Sequence, residues 1–111
     1  MAKSYPPNDG TPKPVYTGWG SVAVHAGHRP DPLYAHQVPI YASSTYVFDD
    51  AEQGMRRFSG EEKGYIYSRW GNPTMTEAEE KIAALETFSH DKQVKGIVHA
   101  CGMSAITTLM L

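Results

Sequence analysis

The sequence is short of several things, and each shortage narrows what the chain does. It has one cysteine, Cys101, among 111 residues. An internal disulfide is therefore excluded, no Cys-x-x-Cys pair is available, and a reducing, cytoplasmic setting is the expectation. No apolar run approaches the roughly 20 residues that a membrane helix needs. The start, Met1-Ala2-Lys3-Ser4-Tyr5-Pro6-Pro7, lacks the hydrophobic stretch of a signal peptide. Basic residues are neither abundant nor clustered: Lys and Arg number 10 against 12 Asp and Glu, for a net charge of −2. Nucleic acid is not an expected partner, because phosphate backbones are met by clustered cations. A stop signal is also missing at the end. Ile106-Thr107-Thr108-Leu109-Met110-Leu111 contains no Gly, Asn, Pro or basic residue to close an apolar helix. The expectation is an N-terminal piece of a longer polypeptide.

What is present falls into blocks. Residues 1 to about 20 hold Pro6, Pro7, Pro12 and Pro14 with Gly10, Gly18 and Gly20, which suits an extended or flexible arm. Residues 21–48 show no helical period and are broken by Pro30, Pro32 and Pro39; a packed loop is favoured over regular strands. Asp49-Asp50 then precede Ala51, Met55 and Phe58, spaced for one helix face, with Arg56-Arg57 in the last turn and Gly60 as the stop. Glu61-Glu62-Lys63-Gly64 reads as a polar loop. The clearest helix runs from 73 or 74 to 88. Asn72 caps it with Pro73 in the first turn, or Thr74 and Glu77 form a capping box. Met75, Ala78, Ile82 and Leu85 share its apolar face, and Glu77 and Lys81 pair outside. Residues 94–99 read as a strand, Ala100-Cys101-Gly102 as a tight turn, and Met103 or Ser104 as the start of a last helix. Helix, strand, small-residue turn and helix are the opening of an α/β domain.

Two segments have the chemistry of an anion site. A small-residue turn between strand and helix aims backbone N–H groups at one point, where the helix adds its positive end. Gly102 lets an anion come close and Ser104 offers a hydroxyl; the plain alternative is a structural turn. The second is Tyr65-Ile66-Tyr67-Ser68-Arg69-Trp70-Gly71-Asn72-Pro73-Thr74. If extended, it puts Tyr65, Tyr67 and Arg69 on one side. Arg69 can hold phosphate or carboxylate through two parallel N–H bonds, and a tyrosine can add its hydroxyl. The alternative there is a solvated Arg beside packed aromatics. His25, His28 and His36 read as scattered loop histidines rather than metal ligands. Cys101 reads as a small, semi-buried residue fitted to its turn, although a helix N-terminus also favours a thiolate.

Tyr67-Ser68-Arg69-Trp70-Gly71-Asn72-Pro73-Thr74, then Leu85-Glu86, then Gly102-Met103-Ser104-Ala105-Ile106 resemble the Cys/Met metabolism family of pyridoxal phosphate (PLP)-dependent enzymes. Val24-His25-Ala26-Gly27, Pro39-Ile40-Tyr41 and Ser44-Thr45-Tyr46-Val47-Phe48 resemble its N-terminal pattern. The likeness runs from about residue 20 to 111. Cystathionine γ-synthase, methionine γ-lyase and O-acetylhomoserine sulfhydrylase are members.

The resemblance implies an α/β fold, the N-terminal part of the aminotransferase-like type I PLP-dependent transferase fold. Residues 1–60 would be an arm and linker crossing to a neighbouring subunit, and residues 61–111 the incomplete start of the large cofactor-binding domain. Tyr67 and Arg69 would reach a neighbour's active site and hold its PLP phosphate; Gly102 and Met103 would hold the phosphate of their own subunit through backbone amides. The intact protein would be a tetramer of two catalytic dimers. It would act by elimination or replacement at the β or γ carbon of a sulfur amino acid or an activated homoserine. Ser or Thr is usual in this family where Cys101 stands, and a thiol is the poorer donor. Lys3, Lys13, Lys63, Lys81, Lys92 and Lys95 all lack the sequence context of the family's cofactor-bearing lysine, so the chain alone is expected to be inactive. A non-catalytic chain docking on a full-length relative, and an unrelated small phosphate-binding domain, are the competing expectations.

Overall fold

A computed structural model of the chain describes residues 15–28, 31, 33 and 35–111. The expectation for the arm over residues 1–14 lies outside the described residues. The chain divides into two compact units. The first contains Val15 and the described residues from 31 to 76; the second contains Tyr16–His28 and Glu77–Leu111. Four helices occur among the described residues: α1 (Trp19–His25), α2 (Ala51–Ser59), α3 (Pro73–Glu86) and α4 (Gly102–Met110). None is long and apolar enough to cross a membrane.

In the first unit, α2 forms as its sequence predicts. The Asp50 side chain accepts the Gln53 N–H at 2.6 Å, and Gly60 ends the helix in the left-handed region at φ 81°. The Gln53 side chain reaches back to accept the Asp49 N–H at 2.7 Å, a reciprocal cap. Met55 and Phe58 stand exposed while Gln53 and Gly54 are buried. Polar groups organise this side of the unit. Glu62, expected in a solvated loop, accepts Arg57 Nε and Arg56 Nε at 3.1 Å each and Gln53 Nε2 at 3.0 Å. Partial desolvation raises the Glu62 carboxyl, but the hydrogen bonds from Arg57, Arg56 and Gln53 outweigh it and hold it below the ordinary carboxylate value. Arg57 also lies over the Phe48 ring, 5.7 Å from its centroid.

The second unit corrects several expectations. Residues 19–25 form α1, although no helical period was expected beyond residue 21; its buried residue is Val22, and Ala26 just beyond it is also buried. A seven-residue helix that buries a single residue of its own is too short to register as a period. The second correction concerns α3. Met75 and Ile82, on the expected apolar face, are 40% and 52% exposed, whereas the side chain of Glu77 is only 16% exposed. The reason lies in the turn after α1. Gly27 has φ 78°, and a Cβ placed there would sit 2.6 Å from the Glu77 carbonyl oxygen. The turn therefore lies directly on α3, and Lys81 bonds both the Val24 carbonyl at 3.2 Å and the Glu77 carboxylate at 3.5 Å. The i, i+4 pair forms, but on a covered face.

The expected strand over 94–99 is extended chain without a ladder partner among the described residues. A strand exists through pairing, and an α/β sheet needs neighbours that this segment does not find here. It is held instead by α3. The Glu79 carboxylate accepts the Val98 N–H at 3.0 Å, and a Cβ on Gly96 would come within 2.6 Å of the Glu79 carbonyl oxygen. The one isolated bridge among the described residues joins Thr45 and Tyr67, antiparallel.

Candidate functional site

That bridge positions the first pair of expected site residues. Tyr46 N–H donates to Ile66 O at 3.1 Å and Ser68 N–H to Ser44 O at 2.9 Å, which lays residues 66–68 along 44–46. The chain then turns tightly. Trp70 N–H and Gly71 N–H both donate to the Tyr67 carbonyl, at 2.9 and 3.1 Å. Gly71 backs onto the Tyr65 ring, where a Cβ would approach to 3.4 Å. Tyr67 is half-buried and Arg69 is exposed at the turn. The Arg69 guanidinium lies over the Tyr67 ring, 4.9 Å from its centroid. The structure thus brings Tyr67 and Arg69 together. Tyr65 goes elsewhere: its ring meets Tyr46 at 5.4 Å, and its hydroxyl is buried with no hydrogen-bond partner among the described residues.

Residues 39–41 brace the same turn from the other side. Asn72 is 6% exposed. Its Nδ2 donates to Tyr41 O at 2.8 Å and to Ser68 Oγ at 3.4 Å, and its Oδ1 accepts the Thr74 N–H at 2.9 Å. Thr74 Oγ1 accepts the Tyr41 N–H at 2.9 Å and donates to Pro39 O at 3.3 Å. Sequence reasoning found Asn72 as a helix cap and missed this second use. The cap is local, whereas its partner at Tyr41 is 31 residues away.

The second pair of expected residues lies at the start of α4. The helix begins one residue earlier than expected, at Gly102, after Cys101 in extended conformation. Ala105 N–H donates to Cys101 O at 3.3 Å, so the N–H groups of Gly102, Met103 and Ser104 precede the first intrahelical bond. A Cβ on Gly102 would meet nothing within 4 Å, and Gly102 and Met103 are both exposed, so this end of the helix is uncrowded. Cys101 is exposed rather than semi-buried, because its extended backbone turns the thiol out at the helix end. The backbone N–H of Ser104 lowers the thiol's pKa most; the Ser104 hydroxyl and the Met103 N–H add to it against a small desolvation. The side chain makes no capping hydrogen bond of proper geometry, so the amides act on it as a local positive field.

Each half fits an anionic phosphate: an exposed guanidinium seated on an aromatic ring, and helix-start amides at an uncrowded end that already favour negative charge. The histidines contribute nothing comparable. His25 stacks on Tyr16 at 5.8 Å, and no three His, Cys, Asp or Glu among the described residues cluster to hold a metal ion.

The sequence model of the family described as "Cys/Met metabolism PLP-dependent enzyme" matches residues 20–111. The chain belongs to this family. Within this Cys/Met metabolism family, L-methionine gamma-lyase of Fusobacterium nucleatum is 48% identical over 94 residues, which is 85% of this chain and 22% of that protein. O-succinylhomoserine sulfhydrylase of Pseudomonas aeruginosa is 41% identical over 91 residues, 82% of this chain and 21% of that protein. A solved structure described as an O-acetylhomoserine (thiol)-lyase from Campylobacter jejuni superposes with a TM-score of 0.73 at 32% identity. It covers 83% of this chain and 21% of the other, and that protein carries a pyridoxyl-lysine phosphate. The chain therefore spans about a fifth of the length of these relatives. The likeness to that structure is consistent with the type I PLP fold expected from the sequence.

Proposed function

We propose that this chain is the phosphate-binding front part of a PLP-dependent trans-sulfuration enzyme. Such an enzyme eliminates or replaces a group at the β or γ carbon of a sulfur amino acid or an activated homoserine. The observation that carries the reading is the start of α4, where the amides of Gly102, Met103 and Ser104 precede the helical ladder and the helix end at Gly102 is uncrowded. Family membership supports the phosphate of PLP as the anion. The names of the similar relatives, a methionine gamma-lyase and an O-succinylhomoserine sulfhydrylase, favour chemistry at the γ carbon.

Bound PLP supplies an electron sink for a substrate carbanion. The residues of this chain bind and orient. Gly102 and Met103 donate backbone N–H groups to the phosphate of their own subunit. Tyr67 and Arg69 project from the 67–71 turn to the phosphate held by a neighbouring subunit, Arg69 through two N–H bonds and Tyr67 through its hydroxyl. Residues 1–60 act as the crossing arm and residues 61–111 open the large domain, in a cytoplasmic tetramer of two catalytic dimers. The lysine that carries the cofactor is not among this chain's residues, so the chain alone turns over no substrate.

The test is a titration of the full chain with pyridoxal 5′-phosphate, followed by tryptophan fluorescence, since Trp70 adjoins Arg69. Saturable binding that Arg69→Ala weakens supports the reading. Binding that is absent, or identical in wild type and Arg69→Ala, overturns it.

A further inference from the structure

Asn72 is one of two polar side chains buried among the described residues; the other, Gln53, is spent on α2 and Glu62. A buried amide left with unpaired groups is costly, so where its bonds go is informative. One end of Asn72 caps α3 through the Thr74 N–H. Capping needs only an acceptor, which Ser or Asp supplies about as well. The other end does something a cap does not need. Nδ2 donates to the Tyr41 carbonyl at 2.8 Å and to Ser68 Oγ at 3.4 Å, and the Ser68 hydroxyl in turn donates to the Ser43 carbonyl. Residue 68 lies between Tyr67 and Arg69, inside a turn closed twice on the Tyr67 carbonyl. Asn72 therefore ties the turn that bears Arg69 to the extended segment at 41–43.

Arg69 itself has one contact of this kind, the stacking on Tyr67. A stacked guanidinium on an exposed turn is placed only as well as the turn is placed. We propose that Asn72 is a positioning residue. Through Nδ2 it fixes the 67–71 turn on residues 41–43 and so sets where the Arg69 guanidinium meets a phosphate. This deepens the reading above and rests on it.

The test uses the full chain and two probes, pyridoxal 5′-phosphate and pyridoxal, which lacks the phosphate. Asn72→Ser keeps an acceptor for the Thr74 N–H and removes the long amide arm. It is expected to weaken pyridoxal 5′-phosphate binding on the order of tenfold, about one charge-assisted hydrogen bond, and to leave pyridoxal unchanged. In an Arg69→Ala background the same substitution should add nothing further, because a positioning residue acts through the group it positions. Should Asn72→Ser fail to fold, Ser68→Ala breaks the same tie from the turn side and carries the same expectation. Equal loss for both probes, or a full additive loss in the Arg69→Ala background, overturns the inference and leaves a structural residue. If Arg69→Ala has no effect of its own, the phosphate reading falls, and this inference falls with it.

Discussion

Arg69 and Tyr67 are two positions apart and share one face of a tight turn, with the guanidinium 4.9 Å from the centre of the phenol ring. The ring carries negative charge density on its face and holds the cation there without neutralising it. No carboxylate among the described residues pairs with it, and the guanidinium edge keeps its N–H donors for a ligand. An ion pair to a carboxylate would have used them.

This arrangement separates two roles of Tyr67. In Tyr67→Phe the platform remains and only the hydroxyl is lost; in Tyr67→Leu both are lost. Stacking at an exposed site is worth about 0.5–1 kcal/mol. Pyridoxal 5′-phosphate affinity should therefore fall further in Tyr67→Leu than in Tyr67→Phe, by roughly two- to fivefold. Equal affinities of the two variants would show that the ring contributes nothing to holding Arg69.

Gly27→Ala should be among the more damaging single substitutions in the second unit. The added Cβ meets the Glu77 carbonyl oxygen at 2.6 Å and imposes a side chain on φ 78°. Both effects act together, at a cost of about 1–3 kcal/mol. Urea unfolding followed by circular dichroism would register it as a lower midpoint. Gly60→Ala has the unfavourable φ of 81° but open space around it, so it should cost less.

The Glu62 cluster gives a pH dependence with a definite sign. The folded carboxyl titrates below its ordinary value of 4.5, because Arg57, Arg56 and Gln53 outweigh its desolvation. A depressed folded value means that the contribution is present above the unfolded pKa and lost as pH falls through the lower folded one. Wild type should lose stability below pH 4.5. Glu62→Gln should be less stable at neutral pH and should lack that acid-side loss. Thermal melts of the two proteins across the acid range would compare them directly.

Cys101 should react as a thiolate at lower pH than an ordinary cysteine. The Ser104 N–H, the Ser104 hydroxyl and the Met103 N–H lower its pKa from 9.0. The rate of iodoacetamide labelling should rise with an inflection below that value. Pyridoxal 5′-phosphate bound at the start of α4 should slow the labelling, because it competes for the same amides. Labelling with an unshifted inflection and no protection would argue against an anion at this helix end.

The features legible in the sequence were those written in neighbouring residues. The Asp50 cap, the Gly60 stop and the small-residue turn ahead of α4 each depend on side chains within a few positions. Alternation along residues 65–69 placed Tyr67 and Arg69 on one side, and the resemblance proposed a phosphate for them; the stacking of the guanidinium on the ring is what the structure adds. Long-range contacts were not legible. Nothing near Asn72 announces a bond to residue 41, and nothing near Gly27 announces a backbone 50 positions on. The apolar stripe of α3 was legible only in part: Leu85 is half-buried and Met75, Ala78 and Ile82 exposed, while the approach of Gly27 covers the Glu77 side, which no local pattern announces.

Glu79 serves the extended segment at 94–99 in the way a neighbouring strand would, with its carboxylate on the Val98 N–H and its own carbonyl against Gly96. A residue's slip along this segment would set a side chain where only Gly96 fits. The alignment is thus keyed by a glycine and a carboxylate, at two points rather than along a ladder.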